Sequence, residues 1–293
     1  MKAIIWGASG QDGYFLTDLL KDKGIEVIPV TRQEKKHVDI TNFEHVRVFI
    51  NKIQPDYIFN FAANSTTRHD VWKENHETIC TGTLNILEAV KNHSINTKVF
   101  LSGSGLQFQN VGRPIHELSP FEATSMYAVS RIHMTYAARY YRTLGVKAYT
   151  GFFFNHDSPR RSERHINKRI IEAARRIAAG STEKLEIGDV SVRKEFGFAG
   201  DIVKGVWILV QQESVFEAVI GTGVAYSIEE WLEICFAKHG LNWRNHVVII
   251  PDYKAEYKLL VSDPATIHSL GWKPEVSIRE LANLMSVPSG HID

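Results

Sequence analysis

Gly7-Ala8-Ser9-Gly10-Gln11-Asp12-Gly13 is the stretch on which the reading of this chain turns. It follows a strand-like apolar run from Lys2 to Trp6 and leads into helical periodicity over 12–23. The spacing is G-x-x-G-x-x-G. Glycines so placed permit a tight turn and let backbone N–H groups approach a pyrophosphate. They also let helix and strand pack closely, with the helix N-terminus facing the phosphates. A glycine-rich turn without a ligand has the same composition. The strand before it, the helix after it and its place at the start of the chain favour a dinucleotide loop.

Outward from that loop, short apolar runs alternate with longer amphipathic stretches, the pattern of repeated βα units and a parallel sheet. Strands are predicted at 2–6, 25–30, 57–61, 97–102 and 147–154, and helices at 12–23, 41–53, 76–92 and 125–144, the third continuing after a turn at Gly82. That is a doubly wound α/β domain. Beyond Asn155 the rhythm changes: an Arg-rich stretch from Arg160 to Arg176 leads into a helix and then short strands and helices. Segments 198–212 and 216–220 read as one more helix and strand returning to the main sheet, so the two parts interleave. The expected division is 1–158 plus about 198–222 for the first domain, with 159–197 and 223–293 as a smaller α/β substrate lobe.

The second strand ends at Val30, and Thr31-Arg32 follow where an NAD enzyme usually offers an acid to the ribose 2′-hydroxyl. Arg32 suits a 2′-phosphate instead, which favours NADP, although arginines are also common at strand ends. Asp39 falls near the expected adenine edge, or starts the next helix at Thr41 as a cap. Ser125 to Arg131 opens a long helix, and i, i+4 spacing puts Tyr127 and Arg131 on one face. A fixed cation there favours tyrosinate over a phenol whose ordinary pKa is about 10 and makes Tyr127 a usable acid or base. Such a pair on a helix is also a common structural feature. The preceding strand ends in Ser102-Gly103-Ser104-Gly105, small hydroxyl residues at the edge where open α/β sheets bind ligands, or simply a turn leaving the strand.

Bulk composition narrows the partners. Lys plus Arg number 34 against 33 Asp plus Glu, so no global field draws in nucleic acid or an acidic membrane. Cys80 and Cys235 have no C-x-x-C spacing, which points to free thiols in a reducing compartment and fits the cytoplasm. No leader pattern opens the chain, and no apolar run approaches the roughly 18 residues needed to span a bilayer. No metal site is expected.

Taken together, GASGQDG at 7–13, VDITN at 38–42, QPDYIFNFAANS at 54–65, TGTLNILEAV at 81–90, MYAVSR at 126–131, FFFNHDSPRR at 152–161, IGTGVAYSIEEW at 220–231 and DPATIHSLGWKPEVSIREL at 263–281 resemble the extended short-chain dehydrogenase/reductases, and within them the GDP-mannose 4,6-dehydratase branch. The resemblance implies a Rossmann-type sheet with a C-terminal substrate lobe, NADP with NAD as the alternative, a nucleotide-sugar substrate, and assembly as homodimers or homotetramers through helices of the first domain. It assigns Gly7, Ser9, Gly10, Gln11, Asp12 and Gly13 to the pyrophosphate loop, and Arg32, Asp39, Ile40, Ala62 and Ala63 to the cofactor's surroundings. Tyr127 becomes the catalytic acid or base, beside Ser104 and Arg131, and Tyr127 and Arg131 also border the cofactor. Asn155, Arg160, Lys168, Arg193 and Lys254 become substrate contacts.

The chain departs from that pattern where elimination is carried out. In the dehydratases a Glu two positions after the Ser/Thr helps to remove water; here Leu106 stands there, and moving the alignment left by one residue puts glycines, Gly103 and Gly105, at both positions. Glu117 and Glu122 fall in the following loop. The family's Y-x-x-x-K is Tyr127…Arg131, which keeps the charge but relays protons poorly. The expected activity is therefore hydride chemistry at sugar C4, as a dehydrogenase, reductase or epimerase. The alternatives are a dehydratase with a rearranged site and a degenerate nucleotide-binding or regulatory member.

Overall fold

The computed structural model describes residues 1–32 and 38–287; positions 288–293 of the expected substrate lobe lie outside them. Lys2–Trp6 (β1), buried from Ala3 onward, is followed by the glycine loop, helix Gln11–Asp22 (α1) and strand Glu26–Val30 (β2). Helix Phe43–Ile53 (α2) and strand Tyr57–Asn60 (β3) come next. The short helix Trp72–Asn75 (α3) continues through a wider π-type turn at His76–Thr81 into Gly82–His93 (α4), and strand Lys98–Ser104 (β4) follows. Met126–Thr143 (α5), capped by Ser125 Oγ on the Ala128 N–H, precedes strand Lys147–Phe153 (β5).

After β5 come the short strand His156–Asp157 (β6), helix Ile166–Ala178 (α6), and strands Leu185–Ile187 (β7), Arg193–Glu195 (β8) and Gly197–Phe198 (β9). Helix Ala199–Val210 (α7) and strand Glu217–Ile220 (β10) return to the main sheet. The remainder is Ala225–Ser227 (β11), Ile228–Ala237 (α8), Val247–Ile249 (β12), Leu259–Leu260 (β13), Ala265–Ser269 (α9) and Ile278–Met285 (α10).

The main sheet is six-stranded, ordered β2-β1-β3-β4-β5-β10, and every pairing in it is parallel. Its strands read as continuous apolar runs because helices cover both faces. One core packs Leu16 and Leu20 of α1 with Val206 and Leu209 of α7; the other packs Val46 and Ile50 of α2, Leu87 and Val90 of α4, and Met134 and Ala138 of α5. A separate core joins α6, α8 and α10 around Trp231, Phe236 and Leu281. Both α8 and α10 start with a capping box, Ser227 with Glu230 and Ser277 with Glu280, so their ends are fixed locally.

Two local expectations change. Gly82 marks no turn: it lies inside a continuous helix, where an added Cβ would meet Ile40 Cγ1 at 2.9 Å, so the glycine serves close packing. The helix after Asp39 begins at Phe43 and is capped by Asn42, whose Oδ1 accepts the His45 N–H at 3.1 Å. Asp39 instead closes a local turn by accepting from Thr41 N and Oγ1.

Candidate active site

At the crevice between β1 and β3, where the strand order reverses, the glycine loop meets the chain leaving β3. Gly7 has a φ of +79°, and a Cβ there would lie 3.0 Å from Phe61 C and Ala62 N. Gly13 faces back on the loop: its Cβ would strike the Gly7 carbonyl and lie 2.6 Å from Ala8 Cα. Gly7 N and Ala8 N are tied to Val30 O at the end of β2, and Gly10 N to Gly7 O. Gly10 is the N-cap of α1 and brings no capping side chain, so the first-turn N–H groups of α1 are left for whatever occupies the crevice. Ser9 is exposed at the loop tip.

Gln11 and Asp12 turn toward the chain beyond β5. Gln11 is buried; its Nε2 donates to His156 O and its Oε1 accepts from Ser158 Oγ. Asp12 Oδ1 lies 2.8 Å from His156 Nε2, while His156 Nδ1 is 2.7 Å from Phe154 O. A carbonyl only accepts, so Nδ1 carries a proton, and the carboxylate draws another onto Nε2. Burial is the largest single influence on each and opposes its charge, but the partner's charge and hydrogen bond, with the further hydrogen bonds around the pair, together outweigh it and hold Asp12 below and His156 above its ordinary value. This buried ion pair fastens the glycine loop to β6.

A cavity of about 300 Å³ opens beside that pair, lined by Ser104, Leu106, Tyr127 and Arg131 on one side and by Asn155, Arg161, His165, Glu256 and Tyr257 on the other. The structure thus brings Ser104, Tyr127, Arg131, Asn155 and Asp12 together. Arg131 is buried, stacks its guanidinium 5.1 Å from the Tyr127 ring centroid, and donates Nη1 to the Ser102 carbonyl and, at 3.1 Å, to Ser102 Oγ. Ser104 Oγ accepts from Leu106 N and its N–H reaches Gln107 Oε1, whose amide is held by Thr135 Oγ1. The serine hydroxyl and the phenol are therefore held by buried groups behind them.

No carboxylate stands at the end of β4. A side chain at Gly103 would meet Phe152 Cδ1 at 2.6 Å, and one at Gly105 would meet the Phe154 ring at 2.9–3.1 Å. Glu117 is engaged by Thr266 Oγ1 and Glu122 is exposed; neither lines the cavity. Its carboxylates are Asp12, committed to His156, and Glu256 at the rim, which faces the Thr67 hydroxyl.

Several expected substrate contacts lie elsewhere. Lys168 is buried inside the α6–α10 packing, with Nζ 3.0 Å from Met285 O and from Glu172 Oε1. Arg193 is exposed and paired with Glu230 and the Ala225 carbonyl. Arg160 stacks on Tyr14 at 4.0 Å outside the cavity, and Lys254 is exposed away from it. Arg32 binds Glu74, Ile40 is buried beneath α4, and Ala62 and Ala63 are half-buried at the exit of β3.

Two of their sequence neighbours, neither singled out beforehand, line cavities instead. Arg161, not Arg160, faces the cavity because it is i+4 from Asp157 and bonds its Oδ1 at 2.8 Å. Lys194, not Arg193, points inward, since adjacent strand residues face opposite sides; burial lowers its pKa to about 8, with the Asp157 charge opposing and Arg161 adding to that effect. Lys194 lines a second cavity of about 450 Å³, with Ile187, Ile250, Tyr253 and Arg169, which shares Glu256 and Tyr257 with the first. His165 is held neutral by burial and the Arg161 charge, with a pKa of about 4. Among the described residues no cluster of three or more His, Cys, Asp or Glu side chains could hold a metal, and no helix is long and apolar enough to cross a membrane. Both cysteines are free and buried.

Comparison with known proteins agrees with this fold. Among solved structures, RMD from Pseudomonas aeruginosa complexed with NADPH superposes with a TM-score of 0.86 at 20% identity, covering 98% of this chain and 97% of that one. The UDP-glucose 4-epimerase of Thermus thermophilus complexed with NAD gives 0.84 at 21% identity, covering 100% of both chains. In sequence, GDP-mannose 4,6 dehydratase 2 of Arabidopsis thaliana is 32% identical over 97% of this chain and 85% of its own length. The GDP-mannose 4,6-dehydratase of Vibrio cholerae is 27% identical over 96% and 91%. The sequence model of GDP-mannose 4,6 dehydratase matches residues 4–285. With that match spanning nearly the whole chain, this protein belongs to the GDP-mannose 4,6-dehydratase family of the extended short-chain dehydrogenase/reductases.

Proposed function

We propose that this chain is an NAD(P)-dependent nucleotide-sugar oxidoreductase that moves hydride at sugar C4 of a GDP-sugar without eliminating water. The observation that carries this reading is the contrast within one cavity: Ser104, Tyr127 and Arg131 converge there, while Leu106 lines it where an eliminating carboxylate is expected and a side chain at Gly105 would meet the Phe154 ring. The glycine loop fits a dinucleotide, because Gly7 and Gly13 let the turn and the helix pack tightly on backbone and Gly10 leaves the first-turn N–H groups of α1 uncapped by a side chain. Gly7, Gly10 and Gly13 would hold the diphosphate, with Arg32 at the adenosine end. When bound, the cofactor supplies a two-electron hydride acceptor or donor.

Tyr127 takes the proton from the C4 hydroxyl as the C4–H bond is broken, or returns it in reduction. Ser104 hydrogen-bonds the same oxygen. Arg131 keeps a permanent positive charge behind the phenol ring and, clamped on Ser102, acts by position rather than as a proton carrier. On the nucleotide side, residues 159–197 and 223–293 form the substrate lobe. Lys194 and Arg161 meet the diphosphate, and the cavity walled by Ile187, Ile250 and Tyr253 takes the base. The same reading includes cytoplasmic residence, on the two free thiols, and a homodimer or homotetramer, on the exposed Val129, Tyr136 and Tyr140 along one face of α5.

A second reading, the dehydratase, is supported by the relatives' names and by Glu256, the one cavity carboxylate among the described residues not committed to an ion pair, whose carboxyl partial burial pushes up. Incubating the protein with GDP-sugars and NADP or NADPH separates the two. Hydride chemistry alone changes the reduced-nicotinamide absorbance or the sugar's configuration and leaves the product without loss of water. A product lighter by one water restores the dehydratase.

A further inference from the structure

Thr31 and Arg32, the described residues directly after β2, offer no acid, and among the described residues the fold brings one from a distant segment. Glu74 of α3 reaches Arg32 with its Oε1 2.6 Å from Nη1, and its Oε2 accepts from Asn64 Nδ2 at 3.3 Å. Asn64 is itself fixed through its N–H on Asn75 Oδ1. Arg32 stands two residues beyond Val30, whose carbonyl receives the N–H groups of Gly7 and Ala8, so β2 ends on the glycine loop and Arg32 follows directly after. The Arg32 hydrogen bond comes first among the causes that hold the Glu74 carboxyl below its ordinary value, so it is ionised at neutral pH.

We infer that Glu74 is a specificity residue which, with Arg32, lets this chain accept both forms of the dinucleotide by offering an acceptor to a ribose 2′-hydroxyl and a cation to a 2′-phosphate. The inference rests on the dinucleotide reading given above. A carboxylate near an adenosine ribose serves the hydroxyl form, and a guanidinium serves the phosphate form. Here the two groups neutralise each other. An entering 2′-phosphate must share Arg32 with Glu74 and sits beside a like charge, whereas a 2′-hydroxyl gains a hydrogen bond to the carboxylate. The side chains are 64% and 39% exposed, so the contact is screened and readily exchanged.

Calorimetric titration of the full chain with NADPH and NADH tests this on wild type, Glu74→Gln, Arg32→Ala and the double variant. Glu74→Gln should raise the NADPH-over-NADH affinity ratio about threefold to tenfold. Arg32→Ala should lower that ratio, and in its background the Glu74 substitution should no longer tighten NADPH. A ratio unchanged by Glu74→Gln, or NADPH weakened by it, overturns the specificity role while the dinucleotide reading stands. Wild type that binds neither dinucleotide overturns both.

Discussion

The glycine loop at 7–13 and the end of β4 at 102–106 lie at the same edge of the sheet with β3 between them, and they have been treated in opposite ways. In the loop, each small residue faces backbone: Gly7 against Phe61 and Ala62, Gly13 against Gly7 and Ala8. At β4, Gly103 and Gly105 face aromatic side chains, Phe152 and Phe154. Backbone cannot move aside, so the loop keeps the geometry of its motif. Side chains can be exchanged in pairs, and there Leu106 and the rings of Phe152 and Phe154 form an apolar wall without a carboxylate. The lesson is that a glycine held against backbone constrains its position more tightly than one held against side chains.

The largest expected effect tests whether the β4 edge still serves chemistry. Tyr127→Phe should reduce hydride transfer about 100- to 10,000-fold while dinucleotide affinity holds, measured by single-turnover absorbance and by titration. Unchanged turnover would mean that the chemistry does not run through Tyr127 and would overturn its role as acid or base.

Next comes the fastening of the loop. His156→Gln should destabilise the fold by about 3–5 kcal/mol, the usual consequence of leaving one partner of a buried ion pair alone, followed by chemical denaturation. The same pair sets a pH window. The raised value of His156 means that its contribution is complete below the ring's ordinary 6.5 and fades as pH climbs through the raised value. The lowered value of Asp12 means that its contribution is present above 3.8 and is lost as pH falls through the lowered value. Wild type should hold its highest melting temperature between these limits, and the variant should lack the alkaline decline.

The smallest effect sharpens the contrast directly. Gly13→Ala, pressed against backbone, should cost about 1–3 kcal/mol, and Gly105→Ala, pressed against a ring, less than about 1.5 kcal/mol. Melting curves of the two variants decide it; equal losses would erase the distinction between rigid and exchangeable neighbours.

Much of the main sheet was legible because a parallel strand buried on both faces is written as an uninterrupted apolar run, as in Ala3 to Trp6. The loop was legible because its glycines answer local demands. Side-chain destinations beyond β5 were not. Arg160 and Arg161, or Arg193 and Lys194, are neighbours in sequence that face opposite ways, and only the register of β8 and the i+4 bond to Asp157 sort them. Lys168 failed for a different reason: its partners, Glu172 and the Met285 carbonyl, include a helix end far along the chain. Glu74 was hidden likewise, since nothing local to α3 announces that β2 will receive it.

The place of β10 at the outer edge of β5 has a consequence for synthesis. As the chain emerges from the ribosome, β5 is complete while the strand that will cover its open side has yet to be made, and all of 154–216 must come first. During that interval Thr150 to Phe153 expose an unpaired, apolar strand edge, the kind of surface that recruits other nascent chains. The period of greatest risk for this protein is therefore set by where its last sheet strand is encoded, and slowing translation just after 220 would bring it little relief, whereas slowing it before 217 would prolong the exposure.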